Sequence, residues 1–359
     1  MKVIIIFFAF FLMLSQGLYS YNRHLFLDSN QLKMGATAVA NIKGSTAIIH
    51  NPALLVETFN DRVFEISIDF AQDKQSTYYS NVKIYNPVVS FFENHVHFGY
   101  FTDIYSSTFV QKEPTDTLIN FQFKRHRLYT LAYAAEIELF GDNWVGFALQ
   151  YHLLDTIYDK FTGDDGVTFS LSENNIALNL ISLRYGVSYD VVKYDGFDIV
   201  LGYVKPVKKL EKYQFKLAAA VSNIFGELNG KKNILSQYYF DQIMMPLNTR
   251  VGVSFKLPVT SKMFSFSDPL ITLDYDVLSD VEAINRKIFI GYSQLIRSLN
   301  IEYSLGCIQN NIVYGAHYQF KLFKNSTADL NVSKVMSPVL NESSTFQTTY
   351  KVSLKILFK

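Results

Sequence analysis

The feature that most constrains this chain is a period-two alternation that recurs over almost its whole length. In Phe64, Ile66, Ile68 and Phe70 apolar side chains alternate with Glu65, Ser67 and Asp69, and an extended strand sends those two sets to opposite faces. The pattern returns in Val145, Phe147, Leu149, Tyr151 and Leu153 against Gly146, Ala148, Gln150 and His152. It returns again from Leu299 to Gly306 and from Ile312 to Phe320. Nine further stretches begin near Val96, Tyr129, Leu183, Phe197, Phe215, Val251, Ile271, Ile288 and Val352, with weaker ones near Tyr78 and Ala328. Asp195-Gly196, Gly141-Asp142-Asn143 and Asn310-Asn311 read as hairpin connections. Longer polar connections fall at 155–174 and 226–246. The reading is one continuous antiparallel meander, an all-β chain.

Alternation does not by itself say which face meets water. A sandwich turns its apolar face into a core, whereas a membrane barrel turns it to lipid and fills the lumen with the polar one. Three features favour the barrel. The stretches match a tilted membrane strand of roughly 9 to 11 residues. Aromatics close several apolar faces, as Phe64 and Phe70 do, and Phe197 and Tyr203, in keeping with interfacial girdles. The polar face carries Glu65, Asp69, Arg184, Lys216, Arg250, Asp274 and Glu302, charges that are costly against hydrocarbon and tolerated in a wet lumen. A secreted sandwich is the remaining soluble alternative. Beyond residue 60 no apolar run approaches the roughly 20 residues of a spanning helix.

Residues 1–20 have the layout of a secretory signal peptide: Lys2, an apolar run from Val3 to Leu14, then small residues with cleavage expected after Gly17 or Ser20. Residues 31–56 do not alternate. Met34-Gly35-Ala36-Thr37-Ala38-Val39-Ala40 is a run of small residues, and His50-Asn51-Pro52-Ala53-Leu54-Leu55 follows, in which proline holds Asn51 extended before a helical turn. Small side chains allow close backbone approach, which suits a compact plug.

A leader, a Met-Gly-Ala run and Asn-Pro-Ala-Leu-Leu just before the first strand together resemble the FadL family of outer-membrane long-chain fatty acid and hydrocarbon transporters, with its PorV-type and uncharacterised relatives. Ser222-Asn223-Ile224-Phe225-Gly226 and Pro246-Leu247-Asn248-Thr249-Arg250-Val251-Gly252 are softer matches. The resemblance implies a transmembrane barrel of about 14 strands over 59–359, with an N-terminal hatch at 21–58 inside the lumen. Gly35, Ala36, Asn51, Pro52 and Ala53 then take hatch positions, not ligand contacts; Asn51 and Pro52 equally suit a simple turn. The chain departs from the pattern in being short and in placing Lys359 after Phe358.

Little points to chemistry. Lysine plus arginine (33) balance aspartate plus glutamate (32), which removes the basic surface that nucleic acid requires. One cysteine, Cys307 on an apolar face, precludes a multi-thiolate metal site. His95 and His97 read as polar residues sharing a strand face, without a third ligand at metal spacing. His152 and His317 share faces with serines, a coincidence common among seven histidines. No cofactor and no enzyme activity are expected. The resemblance implies passive uptake or binding of a small hydrophobic substrate, with outer-membrane lipids and the barrel-assembly machinery as partners. The rivals are a PorV-like docking barrel for other envelope proteins and a membrane phospholipase.

Overall fold

The computed structural model describes residues 34, 37–41, 44–58, 62–75, 80–93, 95–112, 117–138, 142–159, 167–170, 189–231, 242–258, 266–278, 287–308, 311–323, 325–337 and 347–358. Seventeen strands account for most of them: β1 (Val63–Gln75), β2 (Ser80–Glu93), β3 (Val96–Lys112), β4 (Thr117–Ile137), β5 (Asn143–Asp159), β6 (Val167–Ser170), β7 (Tyr189–Pro206), β8 (Lys216–Ser222) and β9 (Glu227–Lys231) come first. β10 (Gln242–Met244), β11 (Asn248–Lys256), β12 (Leu270–Asp276), β13 (Ile288–Ile296), β14 (Ile301–Ile308), β15 (Asn311–Phe323), β16 (Ser326–Ser337) and β17 (Gln347–Phe358) complete the set. Every pairing is antiparallel, and β1 pairs with both β2 and β17, so the sheet closes without an edge. Fourteen strands form the ring. β6 extends the wall by pairing with the upper part of β4, while β9 pairs with β7 beyond the stretch held by β8 and also with β10.

The alternation settles which side is which. Ile66 and Phe147 are each 42% exposed on the outer surface, while Glu65 and Gln150 are 0% and 3% exposed on the inner one. A belt of Val, Leu, Ile, Phe and Tyr therefore girdles the outside, and Glu65, Asp69, Lys216, Arg250, Asp274 and Glu302 all belong to the inward set. Arg184 and the stretch near Leu183 lie outside the described residues. Among the described residues no helix is long and apolar enough to cross a membrane.

Several local expectations change. Asp195-Gly196 is no hairpin but lies within β7, where the strand passes from β9 to β8 as neighbour; a Cβ on Gly196 would stand 2.1 Å from the Glu227 carbonyl oxygen, so glycine reports a close backbone approach. The 226–246 connection contains β9 and β10, and β5 runs on to Asp159 inside the 155–174 connection. Leu299 and Asn300 form a turn before β14, with Asn300 at φ 53°. The weakly alternating stretches near Tyr78 and Ala328 are full strands, β2 and β16. In β2 the period is blurred because inward Val88 and Phe92 are as apolar as outward Val89 and Phe91. The ring is also lopsided. β3, β4, β5 and β7 have 17, 21, 17 and 18 residues, against 7 to 9 in β8 and β11 to β14, so the tall side exceeds the 9 to 11 that a tilted strand needs.

Candidate functional site

The lumen has two unlike walls. From β2 round to β8 the inward positions include Val88, Phe92, Phe101, Leu128, Ala132, Ala134, Ala148, Val200, Val204, Ala218 and Ala220, which belong to one buried apolar cluster, with Ser90, His97, Asp103, Thr130 and Asp198 set among them. From β12 round to β1 most are polar, namely Thr272, Asp274, Ser293, Ser304, His317, Asp329, Asn331, Ser333, Lys351, Ser353, Lys355, Glu65, Ser67 and Asp69, with Phe289, Ile308, Val313, Leu357 and Val63 among them. Opposite charges meet across neighbouring strands there, with Lys355 Nζ 3.3 Å from Glu65 and Lys351 Nζ 3.3 Å from Asp69. His317 Nδ1 is 3.2 Å from Glu302 Oε2 and its Nε2 is 3.6 Å from Asp329.

The segment ahead of β1 bridges the two walls. It folds as α1 (Ala47–His50), a 3-10 turn (Pro52–Leu54) and α2 (Leu55–Thr58), none long enough to be stable without tertiary contacts. Its apolar residues Ala38, Val39, Ala40, Ala47, Ile48, Ala53, Leu54 and Leu55 join the cluster of the apolar wall, and Trp144, the chain's one tryptophan, packs against it. The closest approach is at Gly146 of β5 and Gly202 of β7, which pair directly. A Cβ on Gly146 would lie 2.5 Å from backbone atoms of Pro52 and Ala53, and one on Gly202 would lie 2.1 Å from Asn51 Oδ1. Two glycines side by side thus make a notch in the wall that the turn fills.

Toward the polar wall the same segment is held by discrete hydrogen bonds. The amides of Ala38 and Val39 donate to Asp274 Oδ2 at 2.6 and 3.0 Å. The Ser45 hydroxyl donates to Glu65 Oε1 at 2.5 Å and its amide to Oε2 at 3.3 Å. Thr37 and Thr272 hydroxyls are 2.6 Å apart, and Ser254 donates to the Ala40 carbonyl at 3.2 Å. These carboxylates are fully buried, and accepting two donors offsets the cost of removing them from water. Near Asp274, Arg250 lies with its guanidinium 4.3 Å from the Phe289 ring centre.

Among the sequence candidates, Asn51, Pro52 and Ala53 are buried inside the barrel. Asn51 Oδ1 caps the turn by accepting from Ala53 N at 3.2 Å, and its Nδ2 donates to the Val39 carbonyl at 2.6 Å and the Tyr203 carbonyl at 3.4 Å. It shapes the turn and fastens it to β7 at once. Gly35 and Ala36 lie outside the described residues, as do residues 1–33. His95 and His97 do not share a face: His95 is in the β2–β3 turn at φ 70°, and His97 points inward from β3 onto Phe92. His152 faces His126, with Nδ1 and Nε2 2.9 Å apart. Among the described residues no three His, Cys, Asp or Glu side chains converge as a metal site. Sequence reasoning missed that Asp274 and Glu65 hold a backbone; the available signal was two inward carboxylates facing a segment of small residues.

Farther up the tall side, Leu154, Tyr158, Val192, Tyr194, Leu228 and Met245 form a second inward apolar cluster, with Ile243 packed on it. The inner face of β4, β5 and β7 therefore presents two apolar zones, with His126, His152 and Gln150 between them.

No protein-family profile matches the chain, and no curated protein does. Solved structures share the fold. The CymD monoaromatic hydrocarbon channel superposes with a TM-score of 0.53 at 11% identity, covering 95% of this chain and 99% of that one. The Ralstonia pickettii toluene transporter TbuX gives 0.53 at 15% identity over 94% and 100%. The Pseudomonas putida toluene transporter TodX gives 0.50 at 11% over 92% and 97%. The barrel has the FadL-type fold of these hydrocarbon channels.

Proposed function

We propose that this protein is an outer-membrane channel that binds small hydrophobic molecules and passes them without covalent chemistry or an energy source, residues 21–58 acting as the hatch. The observation that carries the reading is the pair of apolar zones on the inner face of β4, β5 and β7. A barrel lumen that serves water-soluble solutes is polar, whereas this one offers two apolar zones, one of them packed against residues of the 38–55 segment. Monoaromatic hydrocarbons and long-chain fatty acids are the cargo classes to test, the first because CymD is a monoaromatic hydrocarbon channel and TbuX a toluene transporter, the second from the motif resemblance. Passage requires the Asn51–Leu54 turn to leave its notch while the barrel stays closed.

The test is to purify the protein from envelope in mild detergent, identify co-bound apolar molecules by mass spectrometry, and repeat with 21–58 deleted. Co-bound hydrocarbon or fatty acid, lost when Leu154 and Leu228 are replaced by aspartate, supports the reading. Absence of any apolar molecule in both forms overturns it, and stoichiometric copurification of another envelope protein favours a docking role. Location is tested separately: a bilayer-confined label should modify Ile66 and Phe147 and spare Glu65 and Gln150.

A further inference from the structure

On the outer surface of the tall side, aromatic rings run across neighbouring strands. Tyr100 and Tyr129 have centroids 4.9 Å apart, Tyr129 and Tyr151 6.5 Å, and Tyr151 and Phe197 4.7 Å. Such a row marks the level where hydrocarbon gives way to head groups. Val63 and Phe358 lie at the opposite rim, together with the tight β2–β3, β13–β14 and β15–β16 turns, so this row borders the outer leaflet.

Immediately beyond the row the outward positions of β4, β5 and β7 become charged. Arg125 Nε donates to Asp155 Oδ2 at 2.9 Å and Arg127 Nη2 to the same oxygen at 3.1 Å, so two guanidiniums converge on one carboxylate. Asp155 is only 3% exposed, while the arginine side chains remain 42% and 26% exposed. Lys193 pairs in register with Asp155 from the other side and is exposed. The second carboxylate nearby, Asp195, accepts the Tyr151 hydroxyl at 2.9 Å. Three cations thus stand against two carboxylates, both engaged, on three adjacent strands spaced roughly 5 Å apart. Among the described residues the outward positions of β8, β11, β12 and β13 carry no charge.

We propose that this cluster is a binding site for the phosphate of an outer-leaflet lipid head group, held by the guanidinium edges not used by Asp155 and by Lys193, with the acyl chains crossing the Tyr129–Tyr151–Phe197 row toward the bilayer centre. Asp155 fixes the two forks in place, and a phosphate suits them because a guanidinium binds its oxygens two at a time. The inference rests on the outer-membrane reading and adds to it a specific lipid contact, independent of cargo.

The purified barrel is titrated with diphosphoryl lipid A in mild detergent and bound lipid is counted by native mass spectrometry, with dephosphorylated lipid A and inorganic phosphate as parallel arms. The wild type is expected to take up diphosphoryl lipid A about tenfold or more tightly than R125Q/R127Q, with R125K/R127K between them. Inorganic phosphate should neither bind measurably nor displace the lipid. Equal affinity in wild type and R125Q/R127Q, equal affinity for the dephosphorylated lipid, or displacement by inorganic phosphate overturns the site. Heat-shifted gel mobility confirms that variants are folded; should R125Q/R127Q fail that control, K193Q and the dephosphorylated lipid decide alone. Absence of the protein from the outer-membrane fraction would instead refute the location, so the two failures are distinguishable.

Discussion

The two walls of the lumen hold the same segment by different physics. The β2–β8 wall holds it chiefly by shape: alanines and glycines leave room, and the Asn51–Leu54 turn fills the notch at Gly146 and Gly202, with Asn51 on the Tyr203 carbonyl and Glu57 paired to Lys216 as additional ties. The β11–β1 side holds it by address, with Asp274, Glu65 and Ser254 each meeting particular backbone or hydroxyl atoms. Shape-filling contacts fail together when one atom intrudes, because a packed interior cannot yield locally. Hydrogen bonds fail one at a time. The arrangement accordingly combines one all-or-none contact with several graded ones.

The largest effect should come from G146V. Its side chain meets backbone that cannot swing aside, so the turn is expelled at a cost of about 1–3 kcal/mol or more. Trp144 fluorescence should shift to the red and amide exchange at Ala53 and Leu54 should accelerate, with barrel mobility on gels unchanged. D274A comes next. Leaving the two buried amides of Ala38 and Val39 without their acceptor costs about 2–3 kcal/mol, so their exchange should quicken by roughly 30- to 160-fold. Trp144 should not respond; a red shift as large as that of G146V would show that the walls do not act separately. E65Q leaves Ser45 one acceptor where it had two, so at the segment a loss of about 1 kcal/mol is expected, read as faster exchange at Ser45, while the barrel wall separately bears the Lys355 ammonium left without its buried counter-charge. S254A removes one hydrogen bond to Ala40 and should cost about 0.5–1 kcal/mol, confined to the 37–41 stretch. A response at Ala53 to S254A would again merge the two modes.

Much of the barrel was legible because one inward and one outward residue per pair leave a period that needs no partner to be read. Phe64 to Phe70 and Val145 to Leu153 declare their faces outright. The pattern failed where the lumen is apolar, as at Val88 and Phe92, since both faces of β2 then look alike. It also failed at Asp195-Gly196, where a turn dipeptide serves instead to admit a neighbouring backbone. Asn51-Pro52-Ala53 was readable as a turn because proline and a capping side chain act locally. The hold at Asp274 was not, since it joins residues 235 and 236 positions apart, and that at Glu65, only 20 positions from Ser45, depends on the segment turning back into the lumen ahead of β1.

The paired glycines carry a further implication. Because the hollow they leave is cast to fit the Asn51 side chain and the Pro52–Ala53 main chain, all within one short turn, the piece that fills it need not be covalently joined to the barrel. A barrel beginning at residue 59 should accept a short free peptide spelling Asn-Pro-Ala-Leu, and that stopper, added and withdrawn at will, would turn a permanent fixture into a removable part.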